Sequence, residues 1–409
     1  MIAKGAQSRG GRTNLVLGRY AQTAAMLLSA PMLARFLGPE SRGTLAVVLL
    51  IDTALTQVVQ FGLPQAAGRY VARSDAGGET AAATVMASLR NIFVRILLIT
   101  MVLATLISLL APWENRLLLG FIVLAAPVNA FTELQRQILV GMRRFGISNS
   151  SLVLPAWALV VYLVVMRGSA SVGGCVVALV VARLSVAGLL SRMISHGGRS
   201  NPKVRKDLIA YGLKTLPSTL GQLGTQRVDT VWLAALSSPS AVGIYAVAAA
   251  APTALYPLAI GLANHLFRSV SSTGAANGHS DRERRSALIL IGGLSVGAAL
   301  MVPFVYPLAF GTEYQAAIVP AIALVPTGFL YADFMLYRAV QDGRGLPADG
   351  SIAQWSGFLF AVAVVPVFAL RSDLLGVAAA MVLAAVVRSG VLRLLVRRSV
   401  QMSTVNSKE

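Results

Sequence analysis

From Ile96 to Pro112 the chain reads Ile-Leu-Leu-Ile-Thr-Met-Val-Leu-Ala-Thr-Leu-Ile-Ser-Leu-Leu-Ala-Pro, without a charge. From Leu374 to Val387 it is again uncharged. Such blocks recur along the whole chain, and a bilayer selects for them. A helix needs roughly 17–25 predominantly apolar residues to cross the hydrocarbon core. A soluble protein with buried helices would instead need amphipathic cover helices and polar loops throughout, and the sequence offers neither. Charged residues make up only 12% of the 409, against about 25% in an average soluble domain. Mean hydropathy is +0.70. The expected fold class is all-α, a polytopic membrane protein.

About twelve transmembrane helices can be placed, at roughly 15–37, 44–68, 88–111, 117–140, 147–166, 173–193, 208–235, 241–267, 286–309, 314–340, 353–370 and 373–396. The net charge of +19 would by itself suggest nucleic acid. The basic residues, however, return in short clusters between apolar blocks, which is a topology signal. Lys4, Arg9 and Arg12 precede the first span; Arg69 and Arg73 follow the second; Arg143 and Arg144 the fourth; Arg199, Lys203, Arg205 and Lys206 the sixth. Arg282, Arg284 and Arg285 follow the eighth, Arg338 and Arg344 the tenth, and Arg393, Arg397 and Arg398 mark the C-terminal tail. The opposite connections hold little beyond Arg42, Arg116, Arg167 and Arg371. This bias places both termini in the cytoplasm, with an uncleaved first span. No nucleic-acid partner is expected.

The chain resembles itself at an offset of 200 residues. Leu33-Ala34-Arg35-Phe36-Leu37-Gly38-Pro39-Glu40-Ser41-Arg42-Gly43 is matched by Leu233-Ala234-Ala235-Leu236-Ser237-Ser238-Pro239-Ser240-Ala241-Val242-Gly243. Leu, Ala, Pro and Gly recur in register, at the outer turn between the first two spans of each half. Two six-helix lobes are expected, at 1–200 and 201–409, with the same orientation and related by a pseudo-twofold axis along the membrane normal. Parallel bundles with a cleft between them suit alternating access.

The residues at these turns carry a family resemblance. Phe36-Leu37-Gly38-Pro39-Glu40-Ser41-Arg42-Gly43, followed by Phe61-Gly62-Leu63-Pro64-Gln65-Ala66, is similar to the N-terminal region of polysaccharide-biosynthesis flippases. Arg227-Val228-Asp229, followed by Ser238-Pro239-Ser240-Ala241-Val242-Gly243-Ile244-Tyr245-Ala246, resembles the start of their second half. These are the exporters of O-antigen and exopolysaccharide repeat units, in the superfamily that also holds multidrug extruders and lipid II flippases. The resemblance implies translocation of an undecaprenyl-pyrophosphate-linked glycan from the cytoplasmic to the outer leaflet. It also implies membrane lipids, a polysaccharide polymerase and a chain-length regulator as partners. A small-molecule or drug exporter of the same superfamily, a lipid II flippase and a polytopic glycan-polymerising enzyme remain alternatives. The enzyme would usually carry a large outer loop, and no outer connection here is long.

Charges at membrane depth are costly and mark cavities or pairs. Arg19, Asp52, Arg95, Glu133, Arg183, Lys214, Arg227, Asp229, Asp333 and Arg388 are such charges. A diphosphate needs cationic donors. Arg19, Lys214 and Arg227 lie in the leading spans of the two lobes and are substrate-binding candidates. Gln222 and Gln226, four apart, share a helix face with Ser218 and extend the polar surface. Snorkelling is the alternative for Arg19 and Lys214. Asp52, Glu133, Asp229 and Asp333 are candidates for ion coupling or for structural charge pairs. Gly292, Gly293 and Gly297 are expected to mark close helix packing.

Catalytic and metal signals are missing from the sequence. His196, His265 and His279 are widely separated, Cys175 is the single cysteine, and there is neither a Walker phosphate loop nor a serine elbow. No catalytic residue, metal or cofactor is expected. The topology is testable with reporters active on one side of the membrane: fusions at Gly197 should report cytoplasm and fusions at Ser238 the outside. The reverse result at either site refutes it.

Overall fold

The computed structural model describes the backbone of residues 2–74, 78–110, 116–142, 144–194, 197–273, 278–343 and 347–406, with side chains in the first helix from Ala21 onward. The described residues are helices joined by short connections. The first, α1 (Ile2–Gln60), is two helices in tandem, because Gly38 inside it has φ 70° and ψ 173°. That region of backbone space is essentially glycine-only, and Pro39 then starts the next helix with φ already set. The other helices of the first half are α2 (Leu63–Arg73), α3 (Gly78–Leu110), α4 (Arg116–Gly141), α5 (Phe145–Val165) and α6 (Val172–Met193). The second half comprises α7 (Pro202–Leu236), α8 (Pro239–Ala248), α9 (Ala250–Thr253), α10 (Tyr256–Thr273), α11 (Gly278–Phe310), a 3-10 turn (Thr312–Ala317), α12 (Ile318–Gly343), α13 (Pro347–Ala369) and α14 (Leu374–Asn406).

Among the described residues, nine helical stretches are long and apolar enough to cross a membrane. One of these, Ala21–Gln60, is 40 residues long and holds two passes on either side of Gly38. The 26 residues of α4 and 35 of α7 reach about 39 and 52 Å at 1.5 Å per residue. Both are long enough to cross, although neither is among the nine. With them the passes number twelve, as expected from the sequence. Two expected spans are interrupted. The second breaks at Phe61 and Gly62, where Gly62 is left-handed (φ 68°) and Pro64 opens α2. The eighth is divided into α8, α9 and α10, with Pro252 and Pro257 at the divisions.

Two compact units can be distinguished, residues 1–37 with 48–220, and residues 38–47 with 221–409. In the first unit, Ala66, Ala67 and Val71 of α2, Val85, Leu89 and Phe93 of α3, Leu134 and Ile138 of α4, and Leu190 of α6 form the core. Small residues allow close crossings: a methyl group on Gly141 would strike the carbonyl of Gly68, and one on Gly68 the carbonyl of Gln137. In the second unit the core lies between α10, α11 and α12 (Ala259, Ala263, Leu266, Ile291, Ala332, Leu336), and continues through Phe334, Ala353 and Leu392 to α13 and α14.

The segment 38–47 groups with the second unit through a reciprocal contact. A methyl on Gly43 would meet the Pro239 carbonyl, and a methyl on Gly243 would meet the Pro39 carbonyl. Both pairs are related by the 200-residue offset of the duplication, so the repeated Pro-x-x-x-Gly turns pack directly on each other. The glycines of α11 behave differently from expectation. A methyl on Gly292 would sit 3.6 Å from the Phe329 ring, but a methyl on Gly293 or Gly297 would meet nothing within 4 Å. They lie among Ile289, Leu290, Val296, Leu300, Phe304 and Leu308, all exposed. An apolar face of this size would drive aggregation in water; here it faces lipid. Cys175 is fully buried, an apolar filler as expected.

The glycines supply a sign test by thermal unfolding in detergent. Gly243→Ala should lower the midpoint, because its methyl has no room against Pro39. Gly293→Ala should raise it, by up to about 1 kcal/mol of helix propensity. Equal shifts would contradict the packing.

Candidate functional site

In the first unit, Asp52 is buried and both its oxygens are engaged. Oδ1 accepts from Asn129 Nδ2 at 2.7 Å, and Oδ2 accepts from Arg183 Nη1 at 2.7 Å. Asp52 and Arg183 were separate candidates in the sequence; the fold brings α1 and α6 together and makes them an ion pair. Glu133 takes a bidentate grip from Arg136, with Nε at 2.6 Å and Nη2 at 2.5 Å, and a bond from Gln137 at 3.0 Å. All three residues lie within one turn of α4. Arg95 is exposed on α3. Arg19 lies on α1, but its side chain is outside the described residues.

In the second unit, Asp229 neither salt-bridges a cation nor stands free. Its Oδ2 accepts from the Tyr245 hydroxyl at 2.8 Å, and Oδ1 accepts from the Thr230 amide at 2.6 Å and the Thr230 hydroxyl at 3.2 Å. Asp333 is fully buried, and its Oδ2 accepts from Arg393 Nη2 at 2.8 Å. Its other oxygen has no partner among the described residues. Arg388 is buried over aromatic faces, 4.6 Å from the Phe334 ring centre and 5.7 Å from that of Tyr331. Tyr331 in turn stacks on Tyr256 at 4.1 Å. Sequence reasoning missed Arg393 and Arg136. Arg393 reads as one more basic residue of the C-terminal cluster, and Arg136 is hidden three residues from the glutamate it neutralises.

The α7 candidates contrast with these closed pairs. One face of α7 is glued to α13: Thr225 Oγ1 donates to the Gln354 carbonyl at 3.3 Å, Gln354 Nε2 donates to the Gly221 carbonyl at 3.3 Å, and Gly221 and Gly224 admit Trp355 and Phe358. Ser218, Gln222 and Gln226 adjoin that face and are half-buried. Arg227 is turned about 100° from Gln226, as consecutive helical residues must be, and does not share their face. Arg227 and Lys214 are both exposed, and among the described residues neither has a carboxylate within ion-pairing distance. Arg227 is nine residues from the Leu236 end of α7, about 14 Å along the axis.

In this arrangement, removing Asp52 leaves a part-buried guanidinium without its carboxylate partner. Asp52→Ala should destabilise the protein by on the order of 3 kcal/mol, read as a lowered unfolding midpoint. The double variant Asp52→Ala/Arg183→Ala should be more stable than Asp52→Ala alone, since the uncompensated charge is gone. A double variant as unstable as the sum of the two singles would contradict the pair.

Comparison with known proteins gives a consistent picture of the fold. The lipid II flippase MurJ, in an inward closed conformation, superimposes with a TM-score of 0.73 at 10% identity, over 94% of this chain and 87% of that one. An inward-facing multidrug resistance transporter of the MATE family, in the MOP superfamily, gives 0.70 at 15% identity over 92% and 95%. A MOP superfamily transporter from Pyrococcus furiosus gives 0.63 at 16% identity over 94% of each chain. At these identities the likeness is one of fold. Among curated proteins no sequence relative matches. A family model described as polysaccharide biosynthesis protein matches residues 11–260, which is more than half of the chain. This multi-pass membrane protein, built on the fold of MOP superfamily transporters, belongs to the polysaccharide biosynthesis protein family.

Proposed function

We propose that the protein is a flippase for lipid-linked oligosaccharides. It moves an undecaprenyl-pyrophosphate-linked repeat unit from the cytoplasmic to the outer leaflet of a bacterial inner membrane by alternating access of its two lobes, residues 1–200 and 201–409. Both termini lie in the cytoplasm, and no nucleic acid takes part. A polysaccharide polymerase and a chain-length regulator act on the product on the outer side. Family membership supplies the polysaccharide context, and the transporter fold supplies a means of moving a headgroup across hydrocarbon.

The observation that carries this reading is Arg227, an exposed cation that forms no ion pair among the described residues, some 14 Å from the nearer end of its helix. Cations near helix ends snorkel to the headgroups. One at this depth costs at least about 2.5–3.5 kcal/mol on insertion scales unless it is hydrated or paired. A hydrated transport path removes that cost, and a guanidinium on such a path offers a diphosphate a fixed fork of donors. Lys214 on the same helix is a second cation, Gln222 and Gln226 suit sugar hydroxyls, and Arg19 on the leading helix of the first lobe is the remaining cationic candidate. The acids Asp52, Asp229 and Asp333 serve as partners that hold helices together, Glu133 is neutralised within α4, and of these four Asp333 alone keeps an oxygen unengaged among the described residues.

The test is complementation of a flippase-null host with Arg227→Lys, Arg227→Gln and Arg227→Ala, following membrane abundance alongside surface glycan. All three should insert normally. Arg227→Ala and Arg227→Gln should lose export, and Arg227→Lys should keep part of it. Wild-type export by Arg227→Ala at matched abundance would remove Arg227 from the substrate path.

A further inference from the structure

A second cationic feature lies outside the residues discussed so far. Between α2 and the start of α7, within the first unit, is a cleft of about 420 Å³ lined by Arg69, Tyr70, Arg73, Asp207, Leu208 and Tyr211. Its architecture begins at two glycines. A methyl on Gly62 would strike the Gly212 carbonyl, and a methyl on Gly212 would strike the Phe61 carbonyl, so the two backbones meet there in direct contact. From that crossing α2 advances toward Arg73 while α7 is followed back toward Asp207. The cleft opens between them.

Its lining has a definite chemistry. Arg69 and Arg73 are four apart on a helix and present their guanidiniums on one face. Both are exposed, and among the described residues neither is ion-paired. The Arg69 guanidinium lies 4.3 Å from the centre of the Tyr211 ring. Stacking of this kind holds the fork in place without using its in-plane donors. Two like charges one turn apart repel each other unless an anion joins them. Tyr70 and Tyr211 add aromatic surface beside that anion site, and the Asp207 carboxylate can accept hydrogen bonds from hydroxyls. Adjacent phosphate, aromatic and hydroxyl recognition matches a sugar diphosphate more closely than a simple phospholipid headgroup. Lys203, Arg205 and Lys206, just before Asp207 in the first turns of α7, belong to the basic stretch that the charge pattern assigns to the cytoplasm.

We infer that this cleft is a loading site, which holds the sugar-diphosphate headgroup of the lipid-linked substrate at the cytoplasmic membrane surface before it enters the transport path. Arg69 and Arg73 grip the diphosphate, and Tyr211 and Asp207 contact the first sugar. The inference rests on the flippase reading and adds a site to it that is separate from Arg227.

Full-length protein in phosphatidylcholine nanodiscs tests it, with farnesyl-diphosphate-linked N-acetylglucosamine as the probe and sugar-free farnesyl diphosphate beside it. Wild type should bind the sugar probe more tightly than the sugar-free one. Arg69→Ala/Arg73→Ala should weaken both by at least ~10-fold, as expected for lost charge-assisted bonds. Arg69→Lys/Arg73→Lys should recover part of the affinity, and Tyr211→Leu should erase the preference for the sugar. Unchanged binding by the double alanine variant at an unaltered unfolding midpoint overturns the proposal. So does complete displacement of the probe by phosphatidylglycerol at equal mole fraction, which would make the cleft a phospholipid site. Flipping of the probe by wild type in liposomes separates the two levels: flipping with unaffected binding in the double variant removes the loading site and leaves the flippase, whereas a wild type that neither binds nor flips the probe overturns both.

Discussion

Hydrocarbon supplies neither hydrogen bonds nor counter-charges, so each polar group carried into it must find its partner within the protein or in water admitted by the protein. The charged residues of this chain divide along that line. Asp52 with Arg183, Glu133 with Arg136, and Asp333 with Arg393 are closed pairs, and Asp229 is closed by Tyr245 and Thr230. Arg388 is sheltered by aromatic faces. Asp52, Asp229 and Asp333 join helices from within, while Glu133 is neutralised inside α4. Arg227, Lys214, Arg69 and Arg73 are exposed and have no such partner among the described residues. The closed set explains how the bundle tolerates its acids, and the open set supplies the cations on which the proposed headgroup contacts rest.

Close approach of backbones is the second theme. Without a hydrophobic drive between helices in lipid, packing depends on contact area and on how near two helices can come. The duplicated Pro39–Gly43 and Pro239–Gly243 turns meet through each other's carbonyls, Gly68 and Gly141 bring α2 onto α4, and Gly62 and Gly212 bring α2 onto α7. The last crossing lies beside the cleft in which the Arg69 guanidinium sits over Tyr211.

Much of this was legible in the sequence. Charge-free blocks showed the passes, Gly38-Pro39 showed the first turn, and the 200-residue echo of Pro and Gly pointed to turns that the fold brings into contact. What stayed hidden depends on tertiary neighbours. The break at Phe61 and Gly62 falls inside an apolar run, where hydropathy gives no sign of a left-handed residue. Arg183 and Asp52 are 131 residues apart, so nothing local links them. Arg393 and Arg73 read as topology signals, since a snorkelling arginine and a ligand-binding one look alike in sequence. Gly293 and Gly297 show the opposite error: small residues in a span suggest packing, yet these face lipid.

The central claim is that the chain moves a lipid-linked saccharide between leaflets. The most direct measurement uses proteoliposomes containing a fluorescent undecaprenyl-diphosphate-linked disaccharide and a membrane-impermeant quencher added outside. The account predicts that liposomes bearing the protein expose the inner-leaflet pool to the quencher over time, while protein-free liposomes lose only the outer-leaflet signal. It also predicts slower exposure with Arg227→Ala. Identical quenching with and without well-folded protein would contradict it.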